Sequence, residues 1–256
     1  MRRAIVVALF ALLMSNAGAF ALDPAKIAAV TKAADAFVAL AADSEKTGKV
    51  PRQTDAAVKA LLDTVFDTAV LEKDGAQPMA ELQNVNAWNM SVLKIGLVYM
   101  LAGTGVKEIG ALPQTPEMMA KVDGNTVTFA PEVGRYLDTQ IKLQMAIIDT
   151  VQVFIRAASR AQLDNANVRS GIAKIRSGTA QTIGGAVSTL QLPAQTDDWR
   201  RSRLQVLEAM APKAVKFLGA EESQGLRAAF AEAADTMAAP EIKARMQKLA
   251  AVFGAP

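Results

Sequence analysis

The chain contains no cysteine and no histidine, and aromatic residues make up only 5% of its 256 residues. The missing histidine excludes Ser-His-Asp triads, Cys-His pairs and acid–base catalysis by imidazole. Without either residue type, the usual zinc sites are excluded as well. Catalysis would have to use carboxylates, lysine, tyrosine or a cation bound by oxygen atoms. No motif predicts an enzyme, and we expect neither a cofactor nor a metal site.

The first 21 residues have the pattern of a cleaved export signal. Arg2 and Arg3 precede an apolar stretch from Ala4 to Met14, and residues 19–21 (Ala-Phe-Ala) match a signal peptidase site. The apolar stretch is shorter than the roughly 20 residues that a membrane span needs. We therefore expect cleavage near Ala21.

The mature chain, residues 22–256, is expected to be a soluble protein with no transmembrane span. An exported chain without cysteine fits the periplasm of a bacterium better than the disulfide-rich secreted proteins of animals or plants. The missing cysteine also removes the acceptor for a lipid anchor after the apolar stretch. The sequence therefore predicts a periplasmic or secreted protein.

Charge is nearly balanced in the mature chain but is unevenly distributed. Without Arg2 and Arg3, 26 basic residues accompany 25 acidic ones, which gives a net charge of +1. This balance argues against nucleic acid as a partner. Between Arg156 and Lys216, however, ten basic residues accompany only four acidic ones. That segment is the candidate for a basic docking surface.

Turn signals divide the mature chain into pieces whose apolar residues follow a helical period. We predict an all-α fold, an antiparallel bundle of seven or eight helices in a single domain, with a possible internal boundary near residues 103–131. One small β-hairpin insertion is predicted at 121–129, where residues alternate around an Asp-Gly turn. The predicted helices span residues 24–45, 54–73, 79–102, 131–163, 168–190, 197–218, 221–237 and 240–253.

A seven-residue repeat marks the helix predicted at 168–190. Gly171, Gly178 and Gly185 occupy the same position in three successive heptads. A glycine inside a helix costs about 0.5–1 kcal/mol relative to alanine, so three in register suggest that something approaches the helix closely. Our first interpretation is a tight contact with the helix predicted at 131–163. The alternatives are a wall of a binding cleft and an interface with a second copy of the chain.

Three residues of the helix predicted at 79–102 are candidate binding residues. Trp88 and Tyr99, together with Asn86 and Asn89, would form a polar and aromatic pocket for a sugar or a small amphiphile, or else would belong to the end of a core helix. Lys94 lies within an apolar stretch, and a buried lysine with a lowered pKa would act as a base or nucleophile. Its structural alternative is a side chain that reaches water or pairs with a carboxylate.

A tryptophan and three arginines open the helix predicted at 197–218. Trp199, Arg200, Arg201 and Arg203 would suit an anionic lipid headgroup or an acidic partner. Their structural alternative is a solvated arginine face with the tryptophan in the core.

Asp63 and Asp67 share one face of the helix predicted at 54–73, and Glu72 lies about one turn further on. Two carboxylates on one face would hold a hard cation or divide acid and base roles between them. The alternative is an ordinary solvated helix face on which Lys59 is a stabilising neighbour of Asp63.

The leading functional hypothesis is a non-enzymatic periplasmic helical protein that binds a protein partner or an apolar small molecule through its helix surfaces. A homo-oligomer would be one form of such a partnership. The first alternative is an envelope enzyme that uses carboxylates with a hard cation. The second is a peripheral inner-membrane protein that docks through its basic surface.

Overall fold

A computed structural model of the chain describes residues 22–45, 49–74, 79–106 and 109–254. The predicted signal peptide, residues 1–21, lies outside the described residues. Within those four ranges the protein is helical and contains no β-strand, so the all-α prediction is confirmed.

The helices follow one another with mostly short connections. Two 3₁₀ segments, Met79–Glu81 and Ile109–Ala111, lie between α-helices. In chain order, the α-helices are α1 (Pro24–Glu45), α2 (Ala56–Phe66), α3 (Ala69–Asp74), α4 (Leu82–Met100), α5 (Pro116–Thr128), α6 (Ala130–Ala157), α7 (Arg160–Asp164), α8 (Ala166–Leu190), α9 (Asp197–Phe217), α10 (Ala220–Thr236) and α11 (Pro240–Gly254).

Side-chain caps divide two of the predicted helices. Asp67 leaves the helical conformation after α2, and its carboxylate accepts the N–H of Ala69 at 3.2 Å, which starts α3. Ser159 begins α7 with a reciprocal pair of hydrogen bonds to Gln162, a capping box. The predicted helix at 131–163 therefore ends at Ala157. These caps produce more and shorter helices than the seven or eight predicted.

The predicted β-hairpin at residues 121–129 is wrong, because this segment belongs to α5. Thr115 caps the helix by accepting the N–H of Met118 at 3.3 Å, and Pro116 occupies the first turn. Val122 and Thr126 are both buried. Residues four apart share a face of a helix, so the alternating pattern also fits a helix that buries one side.

Helix α6 contributes to both large hydrophobic clusters of the protein. Its residues Ile141, Ile148 and Val151 pack with α8, α9, α10 and α11. Its residues Val133 and Leu137 pack with α1, α2 and α4. The two halves of the chain thus share α6, and Leu82 at the start of α4 also belongs to the first of these clusters.

The other helices pack against α6 or against one another. Helix α4 contacts both α1 and α6, while α10 packs against α11 and α8. A third, small cluster of Leu101, Leu112 and Val122 joins the end of α4 to α5. In the described parts of the chain, none of the helices combines the length and the hydrophobicity that crossing a membrane requires.

Replacing Gly124 by alanine is expected to stabilise the protein by about 0.5–1 kcal/mol, because Gly124 lies inside α5 and the added methyl group meets open space. The matched control is Gly103→Ala, which is expected to destabilise, because the φ of Gly103 is 64°. Urea unfolding of both variants measures the two changes. A destabilised Gly124→Ala variant would contradict a helix at this position and would favour a turn that needs glycine.

Candidate functional site

An apolar cleft lies between α1 and the C-terminal half of α4, and residues 49–51 complete its wall. Its volume is about 250 Å³. Most of its lining side chains are aliphatic, among them Val38, Val50, Leu97, Val98, Leu101 and Val106. A cleft of this kind removes apolar parts of a ligand from water.

Two lysines give the cleft a positive charge. Lys49 and Lys94 belong to its lining, and no carboxylate does so among the described residues. The Nζ atom of Lys94 lies 2.7 Å from Oδ1 of Asp35, and both side chains are exposed. Lys49 is exposed and forms no ion pair with any residue of the four described ranges. The cleft thus combines an apolar surface with one unneutralised cation.

A buried carboxylate anchors the wall formed by residues 49–51. Glu132, at the start of α6, is fully buried and accepts hydrogen bonds from Nε of Arg52 at 3.1 Å and from the N–H of Gln53 at 3.0 Å. The Arg52 guanidinium also lies 5.0 Å from the centre of the Phe129 ring. A buried charge without a partner is costly, so these contacts hold the segment against α6.

Helix α5 fixes the opposite end of the cleft. Asn125 donates from Nδ2 to the carbonyl oxygens of Met100 and Ala102 at 3.0 and 2.9 Å, and Lys121 donates to the carbonyl of Gly103. The last carbonyls of a helix have no partner within it. Helix α5 supplies partners from outside and so positions the residues that follow α4.

Of the residues selected from the sequence, only Lys94 lines this cleft. Because Lys94 is exposed and paired with Asp35, it does not have the environment of a buried base. The cleft was not predicted from the sequence, although one signal pointed to it. Residues 92–101 are apolar nearly all round, which predicts packing on several sides. On one of those sides the structure places the cleft instead of a helix.

The aromatic candidates lie in the core and do not form a pocket together. Trp88 is fully buried, and its Nε1 donates to the carbonyl of Val65 at 2.7 Å. Tyr99 is also fully buried, with its ring centre 5.5 Å from that of Phe37 and 5.4 Å from that of Phe129. Burial raises the pKa of Tyr99, so its hydroxyl stays neutral at physiological pH.

The glycine repeat faces outward. Gly171 and Gly178 are partly exposed and Gly185 is exposed. No surrounding atom lies within 4 Å of a methyl group placed at Gly178 or Gly185. Helix α8 instead buries its opposite side, including Ile183 and Val187. The interpretation of a tight seam against α6 is therefore wrong at Gly178 and Gly185, and these two positions form an open face.

Arg200 and Arg201 bond to other parts of the chain. Nε of Arg200 donates to the carbonyl of Leu190 at 2.9 Å, so this arginine caps the end of α8. Arg201 forms ion pairs with Asp198 at 2.6 Å and with Glu241 at 3.0 Å. Neither arginine is left as an unpaired cation for a lipid or a partner.

Trp199 and Arg203 lie between α9 and α6. The Arg203 side chain is buried, pairs with Asp138 and lies 5.5 Å from the Trp199 ring centre. Nε1 of Trp199 donates to the carbonyl of Ala130 at 2.9 Å. A methyl group at Gly134 would collide with the guanidinium, so this glycine makes room for the pair. The sequence contained no local signal for the partnership of Asp138 and Arg203.

The carboxylates considered for catalysis are bound by cations. Asp63 accepts hydrogen bonds from Lys59 at 2.6 Å and from Arg135 at 2.7 Å, and these two contacts lower its pKa. Asp67 lies 2.9 Å from Nζ of Lys26. Both carboxylates are therefore engaged in ion pairs at the protein surface.

The third carboxylate of that proposal, Glu72, has a side chain that lies outside the described residues. No group of three or more histidine, cysteine, aspartate or glutamate residues that could hold a metal ion occurs in the described part of the chain. The contacts of Asp63 and Asp67 thus favour the solvated-face interpretation of this helix.

Comparison with known proteins identified no relative. No family model matches the sequence, and searches of curated proteins and of solved structures also gave no match. Any functional assignment therefore rests on the contacts of this chain.

Replacing Gly185 by alanine is expected to raise the free energy of unfolding by about 0.5–1 kcal/mol, because the new methyl group meets no neighbour and alanine favours the helix. The control is Gly96→Ala, whose methyl group would lie 2.5 Å from the Tyr136 ring and is expected to destabilise. Urea unfolding compares the two. A strongly destabilised Gly185→Ala variant would restore the tight-seam interpretation.

The stability of the protein is expected to depend on the protonation of Asp138. Burial raises the pKa of Asp138 to about 6, although Arg203 opposes the change. The folded chain therefore takes up a proton at a higher pH than the unfolded chain does. Relative to Asp138→Asn, the wild-type free energy of unfolding should rise as pH falls from about 7 to about 5. Urea unfolding at both pH values checks this, and a fall would contradict it.

Proposed function

We propose that this protein is not an enzyme and that it binds a small apolar molecule carrying one anionic group in the cleft between α1 and α4. The observation that carries this proposal is the aliphatic lining combined with the unpaired Lys49. The lining would take the apolar part of the ligand out of water. The ammonium of Lys49 would lie close to the anionic group.

The size of the cleft limits the ligand. A volume of about 250 Å³ is slightly below the range of roughly 300–1,000 Å³ that is usual for small-molecule sites. A short acyl chain ending in a carboxylate has both the size and the chemistry. Large planar ligands and sugars are disfavoured, because the described lining offers neither aromatic surface nor carboxylate acceptors.

We also propose that the protein works outside the cytoplasm, after cleavage near Ala21. The support is the sequence pattern of residues 1–21, with two arginines, an apolar stretch and Ala19-Phe20-Ala21. Every residue that lines the cleft follows the expected cleavage site.

The two alternative functions have weaker support. A carboxylate enzyme would need free acids at Asp63 and Asp67, and both are held by cations. Membrane docking through the basic segment, residues 156–216, loses the support of Arg200 and Arg203 at the start of α9, because both are engaged inside the protein.

Octanoate is a suitable probe of the cleft, and octanol is its neutral counterpart. Lys49→Gln is expected to raise the Kd for octanoate by about two- to fivefold, because a partly solvated charge contact contributes up to about 1 kcal/mol. The same substitution should leave the Kd for octanol unchanged. Isothermal titration calorimetry with the chain from Leu22 onward measures all four values.

A second pair of variants tests where the probe binds. Ala42 lines the cleft, whereas Ala39, on the same helix α1, does not, and both are exposed. Ala42→Trp is expected to abolish binding of both probes, and Ala39→Trp to leave it intact. The proposal is overturned if neither probe binds the wild-type chain, or if the two tryptophan variants bind equally well.

A further inference from the structure

A long segment of the chain contributes no fully buried residue. We call residues 152–178, which comprise the end of α6, all of α7 and the first half of α8, the basic connection. Each of its residues is partly or fully exposed. Some of them, such as Ile155, Ile172 and Ile175, contact the edge of the hydrophobic cluster in which α6 packs with α8, α9, α10 and α11. The remainder of the surface of these helices is available for contact with something outside the chain.

Most basic residues of the basic connection have no carboxylate partner among the described residues. It contains five basic residues and one acidic residue, a net charge of +4 in a mature chain of net charge +1. Arg156, Arg169 and Lys174 are exposed and form no ion pair with any residue that the structure describes. The one acidic residue, Asp164, lies 3.8 Å from Nε of Arg160.

Apolar side chains lie among these cations. Val153 is 46% exposed, one of the most exposed large apolar residues of the described chain. It precedes Arg156 by three residues, so both occupy the same face of α6. Phe154, Leu163 and Val168 are partly exposed. Helices that combine arginine or lysine with exposed apolar side chains are typical of proteins that lie on anionic lipid surfaces.

We propose that the basic connection docks the protein on the anionic surface of a lipid bilayer. Arg156, Arg169 and Lys174 contact lipid phosphates, and Val153 enters the headgroup region. This surface is separate from the cleft, since none of its residues lines the cleft. The proposal is therefore independent of the ligand proposed above.

The charge and composition of the basic connection favour a bilayer over a protein. A second copy of the chain would bring a charge of +4 against another +4, which opposes self-association. Tight protein interfaces are enriched in tryptophan and tyrosine anchors, and the basic connection contains neither. A bilayer requires only clustered cations and a few apolar side chains.

The test is sedimentation of the chain from Leu22 onward with lipid vesicles. All residues of the three hydrophobic clusters are retained in this chain, and the apolar stretch of residues 4–14 is absent. We expect binding to vesicles of phosphatidylglycerol and phosphatidylcholine at low salt, and release at high salt. Vesicles of phosphatidylcholine alone should bind at least about tenfold less.

Two matched variants locate the contact. The triple variant R156Q/R169Q/K174Q is expected to lower partitioning into the anionic vesicles at least about tenfold. The control K32Q/R227Q/K248Q removes the same amount of charge from exposed positions on α1, α10 and α11 and should change it less than about twofold. Circular dichroism confirms that both variants remain helical.

Three results would overturn the proposal. The first is no sedimentation of the wild-type chain with anionic vesicles at low salt. The second is equal loss of binding in the two triple variants, which would assign the effect to overall charge. The third is binding of an acidic peptide such as polyglutamate without binding of vesicles, which would indicate an acidic protein partner instead.

Discussion

The position of α6 constrains the rest of the protein, because this helix packs into both large hydrophobic clusters and carries the buried carboxylate of Glu132 and the partly buried one of Asp138. Glu132 pairs with Arg52 and Asp138 with Arg203, and these arginines come from opposite sides of α6 in the sequence. A buried carboxylate that loses its cation costs several kcal/mol. A rotation of α6 that separated either pair would therefore raise the free energy of the folded protein, even if the apolar contacts allowed the rotation. The pairs determine which face of α6 meets each half of the chain.

The cleft is a consequence of the same arrangement. Helix α4 packs against α1 and α6, and the aliphatic side chains of Leu97 and Val98 that face the cleft keep part of their surface in water. Burying such a side chain completely contributes about 1.5–3 kcal/mol. A ligand that covers them gains part of this free energy without any rearrangement of the walls, since Glu132 and Asn125 already hold both ends of the cleft.

The features that the sequence predicted correctly depend on residues that are close together in the chain. The bounds of α1 follow from Asp23 and Pro24 at its start, because an N-cap and a first-turn proline act within a few residues. The β-hairpin was wrong because the alternating pattern also fits a helix that buries one side, and contacts outside the segment, such as Asn125 with Met100, 25 residues earlier, join that helix to α4. The site was missed because its wall depends on a long-range contact: Glu132, about 80 residues away, holds the segment at 49–51 against α6. The helical period and the capping residues of a segment do not indicate its contacts with distant parts of the chain.

In the basic segment between residues 156 and 216, the number of basic residues does not predict which of them remain as unpaired cations on the surface. Its arginines at the start of α9 are paired within the fold: Arg203, which pairs with Asp138, and Arg200, which pairs with Asp197, are largely buried, whereas Arg201 pairs with Asp198 and Glu241 at the surface. The basic connection itself contains a single acidic residue, Asp164, which pairs with Arg160. At about 0.1 M salt, charges act over about 10 Å, so the electrostatic field at this surface depends on the local excess of positive charge more than on the net charge of +1. Folding thus divides one basic stretch of sequence into arginines that pair with carboxylates of the fold and cations that form no ion pair with any described residue.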